Sequence, residues 1–74
     1  MALIAGARPV VGDLVLMPRW LTTEPTWFRV LGVRPPVGLL PGWCYLDGYL
    51  IQPDGTQRLG SHFVPIAALV VNRQ

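Results

Sequence analysis

Short apolar runs cut by Gly, Pro and Asp set the pattern of this chain. Leu14 to Met17, Trp27-Phe28 with Val30-Leu31, Trp43 to Ile51, and Leu69 to Val71 each stand between turn formers. No 3.6-residue periodicity runs long enough for a helix, so the pattern predicts strands. Strand one is expected at roughly Asp13 to Met17 and strand two at Thr26 to Val33. Strand three is expected at Trp43 to Ile51 with a bend at Gly48, and strand four at Thr56 to Val64 with a bulge or bend at Gly60. A short strand five covers Leu69 to Val71. Pro53-Asp54-Gly55 reads as a hairpin turn, because Asp and Gly accept the positive φ that such turns require. Pro65 to Ala68 suits a single 3-10 turn. The stretches 18–25 and 34–42, rich in Pro, Gly and Thr, read as loops.

Five short strands closing on themselves, with a 3-10 turn before the last, describe a small all-β SH3-like barrel over residues 11–74. Residues 1–10 are expected to be a flexible N-terminal arm. Strands with one wet face alternate apolar and polar positions. Leu14-Val15-Leu16-Met17 and Trp27-Phe28 are instead apolar on both faces, which calls for cover on both sides. In so small a domain the second cover is another subunit, with Leu16 and Trp27 at the interface.

Composition strengthens that expectation. The 74 residues are 51% hydrophobic and 14% charged, against about 25% charged in ordinary domains. A chain this short buries a small private core and usually needs disulfides, a metal or association. One cysteine, Cys44, excludes an internal disulfide. One histidine and four scattered carboxylates argue against a metal. Self-association remains, with a tetramer favoured. The net charge of +2 comes from six unclustered arginines, so nucleic acid is the least favoured partner. Leu59 to Asn72 is the longest uncharged stretch and is too short to span a bilayer. A cytoplasmic protein is expected.

Little in the chain carries self-sufficient chemistry. Asp47-Gly48 and Asp54-Gly55 read as turn or bulge residues, and Cys44 as a small buried hydrophobe. Trp20, Tyr45 and Tyr49 are candidates for a binding surface that takes a small molecule or a peptide. His62 is a lone histidine, which association would multiply around a shared cavity.

Gly12-Asp13-x-Val15, Trp27 with Leu31-Gly32, Gly48-Tyr49-Leu50-Ile51 and Pro65-Ile66-Ala67-Ala68-Leu69 occur in an order that resembles the plasmid-borne type II dihydrofolate reductases. That resemblance covers roughly Val11 to Asn72. It implies a homotetramer around one central pore, NADPH as cofactor, and trimethoprim-insensitive dihydrofolate reduction. The family's Gln-Ile-Tyr triplet is His62-Phe63-Val64 here, and its strand-one lysine is Met17. By position, His62, Phe63 and Val64 are the pore-lining candidates, with Arg19 as the substitute positive charge.

Overall fold

The computed structural model describes residues 2–18, 20, 26–35 and 41–73. The strands are β1 (Ala2–Ala5), β2 (Leu14–Leu16), β3 (Trp27–Arg34), β4 (Trp43–Ile51), β5 (Gln57–Pro65) and β6 (Val70–Arg73). A 3-10 turn at Ile66–Ala68 links β5 to β6. All pairings are antiparallel, in the order β1-β6-β2-β3-β4-β5. The loops expected at 18–25 and 34–42 fall largely outside the described residues.

The expected five-stranded closed barrel is not what forms: this is an open sheet of six strands. The sixth strand comes from the segment read as an arm. Ala2–Ala5 pairs along β6, with Leu3 opposite Asn72 and Ile4 opposite Val71. The two edges of the sheet are β1 and β5, and no pairing joins them among the described residues.

The hairpin between β4 and β5 follows the local sequence. Gly55 adopts φ +89°, and its N–H donates to Gln52 O at 2.9 Å. Asp54 Oδ1 accepts the Thr56 N–H at 2.9 Å and the Thr56 hydroxyl at 2.6 Å. From there the β4–β5 register runs unbroken from Ile51–Gln57 to Trp43–Pro65, so no bulge occurs at Gly60. The irregularity lies one strand over. The β3–β4 register shifts between Val30 and Gly32, leaving Leu31 as the extra residue. Gly48, opposite Val30, has no room for a side chain. An added Cβ there would sit 1.9 Å from Arg29 O and 3.0 Å from the Phe28 ring.

One face of the sheet carries the core: Val15, Met17, Phe28, Val30, Cys44, Leu46, Val64, Ile66, Leu69 and Val71. No second layer covers this face among the described residues. A flat single sheet could not remove these side chains from water, so the sheet must curl over them. The β4 pattern shows the alternation directly: Cys44, Leu46 and Gly48 are buried, while Trp43, Tyr45, Asp47 and Tyr49 are half-buried on the other side. Burial pushes the Cys44 thiol up from its ordinary value, as suits a packing residue rather than a nucleophile.

Candidate functional site

The pleat sends residues i and i+2 to the same face, and cross-strand partners share it. The registers therefore define two rows on the outer face, opposite the core. One row reads Ala5, Val70, Leu16, Trp27, Ile51, Gln57 across β1 to β5; the next reads Leu3, Asn72, Leu14, Arg29, Tyr49, Leu59. Leu14, Leu16, Trp27, Tyr49, Ile51 and Val70 are half-buried. Leu3 and Leu59, at the two ends of the second row, are 62% and 66% exposed. Within these rows Arg29 is the only charged side chain. The anticipated interface residues Leu16 and Trp27 are direct cross-strand partners here, and Tyr49 lies opposite Arg29 in the neighbouring row.

The pore candidates do not share a surface. His62 points to the core side and meets Phe28 edge-on at 5.4 Å. Val64 is fully buried in the core. Phe63, between them, points to the outer face. A three-residue run on a strand is split by its period of 2, so the triplet cannot line one cavity from a single chain. Arg19 lies outside the described residues. Trp20 is exposed.

Phe63 belongs to an aromatic group on the outer side of β4 and β5. Its ring stacks on Trp43 at 4.9 Å and meets Tyr45 at 4.7 Å. The Arg34 guanidinium lies 5.0 Å from the centre of the Tyr45 ring. It is held there by Asp47, which accepts from Arg34 Nε at 2.7 Å and Nη2 at 2.9 Å. Asp47 Oδ1 also accepts the Ser61 hydroxyl. Asp47 is thus a mid-strand ion-pair residue and not the turn residue its Asp-Gly context suggests. The hydrogen bonds from Arg34 and Ser61 hold its carboxyl at about 2.

Sequence reasoning missed the second cluster. Asp13 is 4% exposed and takes three hydrogen bonds. Oδ2 accepts from Val10 N–H and Arg73 Nη2, each at 2.9 Å, and Oδ1 accepts from Arg73 Nε at 3.2 Å. Arg73 Nη2 also donates to Arg8 O at 3.1 Å. This ties the turn before β2 to the end of β6. A cavity of about 450 Å³ opens beside it, lined by Val10, Val11, Gly12, Asp13, Leu14, Arg29, Asn72 and Arg73. The partners are sixty residues apart, and no local signal links them.

The Arg73 hydrogen bond, opposed by burial and helped by the Val10 N–H, lowers the Asp13 pKa below its ordinary 3.8. A carboxylate with a depressed folded-state pKa stabilises the fold above its unfolded pKa and loses that contribution as pH falls through the folded value. Stability is therefore expected to hold from neutral pH to about pH 5 and to fall below about pH 4. Asp13→Asn should cost about 1–3 kcal/mol at pH 7, because it strips a buried acceptor from Arg73. It should also flatten the acid limb of the curve, as denaturant melts at pH 7 and pH 3 would read.

Among the described residues no three His, Cys, Asp or Glu side chains gather as a metal site, and no helix is long and apolar enough to cross a membrane. No family model, curated protein or solved structure matches the chain.

Proposed function

We propose that this protein is a self-associating binding or assembly module whose outer sheet face packs against a second copy of the chain. The observation that carries the reading is the row Val70, Leu16, Trp27, Ile51, apolar across four neighbouring strands and backed by a complete core on the opposite face. A single sheet with its core on one side has no structural use for apolar side chains on the other; burial between subunits gives them one. A second copy is the fitting occupant. It presents the same uncharged row, and a two-fold contact between identical patches sets apolar surface against apolar surface without opposing like charges at its centre. In the adjoining row the exposed Arg29 gives that contact a charged edge. The single buried thiol of Cys44 suits a reducing compartment such as the cytoplasm.

Trp27→Glu and Leu16→Glu test this directly. Each places a carboxylate at the centre of the contact while leaving the core side untouched. Loss of a central aromatic anchor costs about 2–4 kcal/mol, so the dissociation constant should rise roughly 30-fold to 1000-fold. Circular dichroism should remain that of the parent. A parent-like mass for both variants across a dilution series would refute the reading.

A further inference from the structure

We propose that the cavity between the turn at Val10–Asp13 and strands β2, β3 and β6 binds a small carboxylate that also carries a hydrogen-bond donor, of the N-acylated amino acid kind. Every group it uses belongs to one chain, although Leu14, Arg29 and Asn72 stand beside the row proposed for self-association.

The polar groups of this cavity divide into those already satisfied and those still open. Asp13 and Arg73 satisfy one another, with the Val10 N–H and Arg8 O completing the set. Their charges cancel, so the pair is a wall and not a receptor. Arg29 is different. It lines the cavity with no acidic partner among the described residues, leaving the cavity with a net positive charge. A guanidinium fork is matched by a carboxylate, which it can hold through two parallel hydrogen bonds.

Asn72 supplies the second requirement. It is 9% exposed, lines the same cavity, and its Oδ1 is buried without a hydrogen-bond partner. An unsatisfied buried acceptor is costly, and a ligand N–H offers the missing donor. Asn72 and Arg29 both flank Leu14, on opposite sides of β2 in the same row. Two strand spacings, about 10 Å, thus separate their backbones, with Leu14 between them. That spacing suits a carboxylate and an amide N–H on one small molecule. Val10, Val11 and Leu14 provide the apolar wall for a short side chain. The volume lies in the range that holds small organic ligands.

The probe is N-acetyl-leucine, titrated into uniformly 15N-labelled protein and followed by amide chemical shifts. For a ligand this small a dissociation constant of about 1 mM is expected. Saturable shifts should appear at the backbone amides of Val11, Gly12 and Leu14 and at the Asn72 side-chain amide. N-acetyl-leucinamide, which lacks the carboxylate, should bind at least about tenfold more weakly, as should N-acetyl-leucine to Arg29→Met. 4-Methylpentanoate keeps the carboxylate but lacks the N–H. It should bind the parent more weakly than N-acetyl-leucine does, and that preference should vanish in Asn72→Leu. Arg29 is exposed, so its variant should retain the parent spectrum outside the cavity. Light scattering on the same samples reads association separately. No saturable shift at about 10 mM, or unchanged binding in Arg29→Met, would overturn the proposal.

Discussion

Gly48→Ala is expected to remove about 3 kcal/mol or more of stability, among the largest effects of any one-methyl change in this chain. A Cβ at that position would lie 1.9 Å from the Arg29 carbonyl oxygen. The obstacle is backbone in the neighbouring strand, so no rotamer change can relieve it. The Phe28 ring would also lie 3.0 Å from the added Cβ. A domain of this length has about 4–11 kcal/mol in total, so the variant should lose a large share of its stability and melt at a much lower urea concentration than the parent. Gly60 is the matched control. It pairs with Gly48 across β4 and β5, yet a Cβ there would meet only His62 Nε2, at 4.0 Å. Gly60→Ala should change stability by less than about 1 kcal/mol. Urea melts of the two variants side by side would show the contrast. Equal stabilities would mean that the β3–β4 approach is looser than described.

Phe28→Ala is expected to cost about 3–5 kcal/mol. Phe28 is fully buried, and it meets His62 edge-on. Its loss leaves a cavity that the bulge at Val30–Gly32 and the glycine at 48 cannot collapse into without breaking the β3–β4 register. Phe28→Leu keeps most of the buried volume and should cost about 1–2 kcal/mol. His62→Ala removes only the edge contact of a half-buried ring and should cost about 1 kcal/mol. The ordering of these three melts distinguishes a core phenylalanine with a packing histidine from a histidine that organises its own site. A His62 variant more damaging than Phe28→Ala would contradict the packing described above.

The local grammar of the fold was legible, and its long-range decisions were not. β4 forms at Trp43–Ile51, where its apolar run between two turn signals put it. The Asp54-Gly55 turn follows from the dihedral freedom of glycine and the short acceptor arm of aspartate. The doubly apolar strands also declared themselves, and the structure resolves them into a core face and an outer face. Pairing of Ala2–Ala5 with β6 spans nearly the whole chain, however, and an apolar segment without turn signals or alternation gives no hint of its partner. That pairing gives the sheet its sixth strand.

The same distance hides the Asp13–Arg73 pair. In the sequence Asp13 stands as the first residue of a strand, and nothing near Arg73 points back to it. Asp47-Gly48 reads as a turn or bulge; it lies mid-strand opposite the register shift between Val30 and Gly32, and the ion pair of Asp47 with Arg34 is what the Asp-Gly step does not announce. The residues His62, Phe63 and Val64 drew attention as a triplet in sequence. The pleat separates them, and the cavity beside Asn72 gathers residues that are distant in the chain.

Native mass by light scattering, on the parent protein across a dilution series at neutral pH, tests the central claim most directly. The account predicts a species at an integral multiple of the 8.2 kDa chain mass, dissociating on dilution. A mass of 8.2 kDa at every concentration would contradict it, since the Leu16–Trp27 row would then face water with no second copy to cover it.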